Sequence, residues 1–547
     1  MNTDFENESL TSDKDQAFFE STEEFQEEFD DASIDLLNLH ETDKWEAAKE
    51  RQPEKAKAPA IWERILSDTG FSQDTDDSLL TPRQQKARLE RRKRTMLLAG
   101  GLAGGLLVVL TGGILLARGI SHSRAKKAAA LAEQERLAAE ATAQRAQAIA
   151  DAAYTAAGYD YDGAIEQLKS LDGWEESDDI PKLIQDYEAA KDSLVPVTYE
   201  DVTHIFYHSL VVDTDLAFTG NDQYTAGLKQ YMTTVTEFNN ITQAMYDDDW
   251  VLVDIYDLFT ETYDENGKAH FEEKPIYLPE GKKAFILSLD DLSYYHVYEG
   301  RGIATKLVLD EEGHITCEYT NSDGSITTGA FDCVPLLNQF MEAHPDGAYH
   351  NARGIIALTG YDGIFGYRTD IAYKTLENLD ADQKVWLDAH PDFDWEEECR
   401  QATIIADELK AEGWTFASHT WGHIKIGLAD LDRIRRDTEK WKSYVEPLIG
   451  ETEMIIFANG YDLATDASYY EGNEKYEYLQ SQGFNIYLNV DSRHYTMGIF
   501  DDFVHGGRRN LDGYRLWNDA KGKTSWTTDL FDASEMLDPA RTDVPDI

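Results

Sequence analysis

Two short constellations in this sequence have residue types and spacing that could do chemistry. The first is Asp290-Asp291, which closes the apolar run AFILSLDD. Adjacent carboxylates repel, and a turn or cap would use one of them. Placed directly after a buried strand, the pair suits metal binding or acid–base work. The second is His419-Thr420-Trp421-Gly422-His423, which closes the run WTFASHT. Histidines four residues apart fall on one side of a helical turn and can reach the same ion, although either alone is more often structural. One carboxylate with two histidines makes a hydrolytic metal set that leaves positions open for water.

Those side chains need a scaffold that brings strand ends together. From about Tyr199, strand-like runs (HIFYHSLVV, AFILSLDD, GIIALTG, WTFASHT, EMIIFANG, FNIYLNV) alternate with helical stretches such as CRQATIIADELKAEG and LADLDRIRRDTEKWKSYVEPLIG. That alternation implies parallel βα units, either a doubly wound sheet or a barrel, with chemistry at the strand C-termini. The stretch 292–400 is longer than a minimal domain needs. It holds a hairpin-like segment with turn signals at Glu312-Gly313 and Asp323-Gly324. It also holds LTGYDGIFGYRTD, where Tyr361, Asp362, Tyr367 and Arg368 could line a carbohydrate groove or simply lie on the surface.

The order strand–Asp-Asp, then GWTFASHTWGH after the helix IIADELKAEG, resembles the polysaccharide deacetylases, metal-dependent carbohydrate esterases with a NodB-homology domain. The opening HIFYHSLVV is similar to the tyrosine-histidine-serine strand that begins many such domains, and the resemblance spans roughly residues 200–515. It implies a distorted (β/α) barrel, with Asp290 as general base and Asp291, His419 and His423 as metal ligands. Thr420 would help hold the histidine loop. Zinc fits an Asp/His/His set best, with manganese and cobalt as the other candidates.

The sequence also departs from that family. Leu292 follows Asp-Asp where the family usually has glycine. In IIFANG, Ile456 stands at the position of the arginine that orients the base, and Asn459 at that of a tyrosine, leaving Gly460. Asp290 must therefore be held in another way, and Asn459, or a backbone N–H beside it, is expected to contact substrate at the oxyanion. For the catalytic acid, His494 is preferred over His505. Arg508, Arg509 and Asp512 form a dense polar cluster, either a salt-bridged loop or a substrate- or base-orienting group in which Arg508 is the expected substrate contact.

Composition bounds the rest. The 547 residues carry 104 acidic against 50 basic side chains, a net charge of -54, which disfavours nucleic acid as a partner. Residues 1–80 hold 23 acidic and seven basic residues, a composition that cannot build a core. Residues 95–117 are 23 uncharged residues, roughly 34 Å of helix against a hydrocarbon core of about 30 Å, with Arg83 to Arg94 crowding the N-terminal side. The expected organisation is an acidic tail (1–82), a basic juxtamembrane segment (83–94), a transmembrane helix (95–117), a helical stalk (118–195), the catalytic domain (196–530) and an acidic C-terminal tail (531–547). The positive-inside bias puts the N-terminus in the cytoplasm and the catalytic domain outside the cell membrane. Gly100, Gly101, Gly104 and Gly105 give two overlapping GxxxG spacings, a possible homodimer contact. In the stalk, apolar positions that are mostly alanine make a coiled-coil heptad weak. Cys317, Cys333 and Cys399 are expected as buried thiols, with a Cys317–Cys333 bridge as the alternative.

The leading expectation is a hydrolase that removes N-acetyl or O-acetyl groups from an N-acetylglucosamine-containing polysaccharide. The second is a glycan-binding or scaffolding protein that keeps the fold but has lost efficient chemistry. The third is a glycoside hydrolase using paired carboxylates, which would not need the histidines.

Overall fold

The structure, a computed structural model, describes residues 122–220, 222–464, 472–490 and 497–545. The segments 1–82, 83–94 and 95–117, with the glycine spacings of the last, lie outside the described residues, as does His494. Among the described residues no helix is long and apolar enough to cross a membrane. That finding counts against the single-pass cell-membrane placement expected from the sequence, which is corrected accordingly.

The chain divides into two compact units at Asp192–Ser193. In the first, α1 (His122–Ala157) is followed by α2 (Tyr161–Lys169) and α3 (Ile180–Asp192). Alanine-rich sequence without glycine or proline favours α1, whose 36 residues span roughly 54 Å. Asp160 caps α2 by accepting the Gly163 N–H. A small core of Ala152, Ala156, Ala164, Ile165, Leu168, Ile180 and Ile184 ties the three helices together.

The second unit is built on a closed barrel of seven parallel strands. These are β1 (Val202–Tyr207), β2 (Lys283–Asp290), β3 (Ile355–Leu358), β4 (Thr415–Ser418), β5 (Met454–Ile456), β6 (Ile486–Val490) and β7 (Val504–Asn510). They run in chain order around the barrel, each paired with the next, and β7 closes on β1. A short strand, Trp250–Leu252, adds to the first half of β2. Both faces of such strands are covered, which is why β2 reads as an apolar run buried at every position but its first. Outside it pack α4 (Val235–Asp247), α5 (Cys333–Ala343), α6 (Trp395–Ala411), α7 (Leu431–Tyr444) and α8 (Glu474–Ser481). The amphipathic α7 buries Ile434 and Trp441 and exposes most of its charged residues, Asp437 being a buried exception.

The long stretch between the two motifs contains the expected hairpins. Lys306–Leu309, Ile315–Thr320 and Ile326–Gly329 form a three-stranded antiparallel sheet. Its turns use Gly313 and Gly324 with φ of 92° and 79°, a region that favours glycine. Cys317 and Cys333 are buried free thiols and Cys399 is a half-buried one, so the alternative bridge is not formed. Residues 531–545 are not a free tail. Arg541 reaches Glu237 on α4, Nη2 to Oε2 2.7 Å, with neither side chain exposed, and Phe531, Ala533, Met536 and Val544 are buried around it.

Candidate active site

Asp290 is the last residue of β2, and Asp291 turns the chain with a left-handed backbone, φ 56°. His419 follows β4, with Thr420 (φ 63°) and His423 (φ 51°) also left-handed. Asn459, after β5, has φ 58°. Non-glycine residues in this region cost on the order of 1 kcal/mol or more each, and they persist where surrounding contacts over-determine them. Here those contacts are visible. The Asp437 carboxylate on α7 accepts the N–H groups of Trp421 (2.7 Å) and Gly422 (2.9 Å), and Thr420 Oγ1 accepts the Ile424 N–H at 2.9 Å. Asp437→Ala should leave two half-buried N–H groups without their carboxylate, at about 1–3 kcal/mol, and loosen the histidine turn. Thermal melting together with metal titration will register both effects.

The ligand atoms of Asp291, His419 and His423 all lie within 4.8 Å of one another. His419 Nδ1 donates to the Ile456 carbonyl at 2.9 Å, which leaves Nε2 as the free lone pair. Burial pushes the His419 pKa below its usual value in spite of the two carboxylates, so the imidazole is neutral, as a ligand must be. His423 Nε2 stands 3.5 Å from Asp291 Oδ2, and Asn459 Nδ2 lies 3.5 Å from the other ring nitrogen of His423. Two imidazoles and one carboxylate, one tautomer already fixed by a backbone carbonyl, fit a zinc-like divalent ion.

Asp290 is 4% exposed and grips Arg508 of β7, whose side chain has no exposed surface. The two guanidinium contacts are 2.7 and 3.0 Å, a bidentate pair. Arg508 also donates to Ser288 Oγ (2.9 Å) and lies over the Phe206 ring at 4.2 Å. Beneath it, His204 Nε2 meets the same Ser288 hydroxyl at 3.0 Å. Burial alone would raise the Asp290 carboxyl. Arg508, aided by His419 and His208, outweighs burial and holds it well below the usual carboxylate range.

Several expectations change at this level. Arg508, the expected substrate contact, is fully covered and has its guanidinium committed to the Asp290 carboxylate, in line with the orienting alternative. Ile456, standing where an arginine was expected, contributes its backbone carbonyl to His419. Arg509 binds Asp529 (2.9 Å) and Asp512 binds Arg515 (2.6 Å), so both are structural. His505 is paired with Asp462 at 2.8 Å. Asp362, Tyr367 and Arg368 are buried and line no groove: Arg368 donates to the Tyr294 carbonyl and to Glu299, both at 2.9 Å. Tyr361 is half-buried, its hydroxyl spent on Asp380, with its ring 6.0 Å from that of Tyr295. One residue of the tyrosine-histidine-serine run was given no role in the sequence reading. His208, just past β1, is close enough to lower the pKa of both Asp290 and Asp291. It shares the inward phase of His204 and Phe206, and two-residue periodicity from His204 was the signal that could have found it.

The class defined by fold and site is an α/β protein with a closed parallel barrel and a carboxylate–imidazole cluster at the strand C-termini. No family model and no curated protein matches the chain. Among solved structures, it is similar to the Streptococcus pyogenes deacetylase PplD in complex with acetate, at 12% identity over 58% of this chain and 94% of that one, TM-score 0.30. It is also similar to BC0361, a polysaccharide deacetylase from Bacillus cereus, at 10% identity over 63% of this chain and 70% of that one, TM-score 0.30.

Proposed function

We propose that this chain is a metal-dependent hydrolase that removes acyl groups, acetyl first among them, from an N-acetylglucosamine-containing polysaccharide. The observation that carries the proposal is the pairing, at one barrel mouth, of the Asp291/His419/His423 cluster with the arginine-held carboxylate of Asp290. When bound, a divalent ion there supplies Lewis acidity toward an acyl oxygen and lowers the pKa of water. Asp290 stays ionised and, fixed by two hydrogen bonds, presents its carboxylate as the proton acceptor. For handing a proton to the departing amine, His208 stands as a candidate beside His494, being close enough to Asp290 and Asp291 to lower both carboxyl pKa values. Tyr361 offers a ring face to a sugar, and Asn459 steadies His423 more directly than it could serve substrate. The reading of a weakened, purely binding protein rested on Ile456 at the arginine position. Arg508 brings a guanidinium to the base from another strand, so the catalytic reading is preferred.

The test is acetate release by the full chain from N-acetylglucosamine oligomers and N-acetylated polysaccharide, after chelation and again after zinc is restored. Zinc-dependent release is the expected result. A chain that binds one equivalent of zinc yet releases no acetate from any of these substrates would sink the deacetylase reading.

A further inference from the structure

Tyr295 lies four residues beyond Asp291, and its hydroxyl touches two groups: Asp291 Oδ1 at 2.9 Å and Thr359 Oγ1 at 2.6 Å. Thr359 Oγ1 in turn meets Ser293 Oγ at 3.0 Å, and both of these hydroxyls are fully buried. Proton counting fixes the direction of this chain. An ionised carboxylate only accepts, so the single phenolic hydrogen goes to Asp291. Thr359 must then donate to the phenol oxygen, and Ser293 to Thr359. Each hydroxyl is used once as donor along a one-way path that ends on Asp291.

The two oxygens of Asp291 are thereby made unequal. Oδ1 is held by Tyr295, whereas Oδ2 is the oxygen 3.5 Å from His423 Nε2. A carboxylate with one oxygen tied to a phenol offers the other alone to an ion and leaves more of the coordination sphere open. Tyr295 is itself fixed from its far side. Asp362, with no exposed surface, accepts the backbone N–H of His296 at 2.7 Å and its ring Nδ1–H at 2.9 Å, clamping the turn that carries Tyr295.

We infer that Tyr295 is a positioning residue that holds Asp291 as a one-oxygen metal ligand, with Thr359 and Ser293 as its fixed donors. This rests on the metal-site reading above, and the experiment keeps the two apart. Cobalt(II) is titrated into the full chain of the wild type, Tyr295→Phe, Thr359→Val and Asp291→Ala, following the visible absorption of the bound ion, with thermal melts to confirm folding. Tyr295→Phe should bind cobalt roughly 10–100-fold more weakly with a changed spectrum, and Thr359→Val should shift both in the same direction by less. Tyr295→Phe that is folded and binds cobalt with wild-type affinity and spectrum overturns the inference alone. A wild type that binds no cobalt, or binds it as well after Asp291→Ala, overturns the metal-site reading beneath it. If Tyr295→Phe fails to fold, Thr359→Val decides: unchanged affinity and spectrum there overturn the one-way hydroxyl path.

Discussion

Asp291→Ala should lower acyl hydrolysis by roughly a thousandfold or more while leaving the barrel folded. A metal in a hydrolytic site supplies several kcal/mol of transition-state stabilisation, and each 1.4 kcal/mol is about a factor of ten. Losing one of three protein ligands removes most of that. The cost to folding should be small, because Asp291 is 19% exposed and its charge repels the neighbouring Asp290. Acetate release, metal content after dialysis and the melting temperature separate the two effects. Loss of stability in proportion to loss of rate would mean that Asp291 is a structural residue.

Arg508→Met should be damaging in both respects. Removing one partner of a buried, bidentate pair strands the other and costs about 3–5 kcal/mol. The linkage has a definite sign. The depressed carboxyl of Asp290 contributes stability above its unfolded pKa, near 3.9, and that contribution is lost as pH falls through the folded value. Without Arg508, burial dominates and the Asp290 pKa rises. The contribution therefore disappears, and the acidic limb of kcat/KM moves up toward neutrality. With the base no longer held, a further loss of about a hundredfold in rate is expected. Denaturant melts and a pH–rate profile check this, and Asp290→Asn combined with Arg508→Met supplies the cycle. If the double variant is destabilised by the sum of the two single losses, the pair is not coupled and the assignment fails.

The parts of the site carried by single strands were legible in the sequence. AFILSLDD and WTFASHT each announce a buried strand and, at its end, a residue with no reason to be apolar. Alternation with amphipathic helices then implied that those ends share the C-terminal edge of one parallel sheet, doubly wound or closed. What stayed hidden was the partnership across the closure. Arg508 lies 218 residues from Asp290, and no local pattern links them. Yet β7 reads VHGGRRN, and two-residue periodicity sends Arg508 inward and Arg509 outward. An arginine inside a barrel must meet a carboxylate, and Asp290 was the one without a partner. Tyr295 was hidden for a different reason. In SYYHVY three tyrosines look alike, and only the turn set by Asp291 and clamped by Asp362 decides which one reaches the Asp291 carboxylate.

Because the strands follow one another around the barrel, the base and its arginine belong to the second strand and the last. The three candidate ligands are all on the chain once β4 and its histidine turn have been made, yet β5 supplies the carbonyl that fixes His419 and β7 the guanidinium that holds Asp290. Competence thus arrives late on the chain, when β7 docks between β6 and β1. On the proposed function, a molecule clipped before β7 would keep the three ligand residues and lose the group that holds the base.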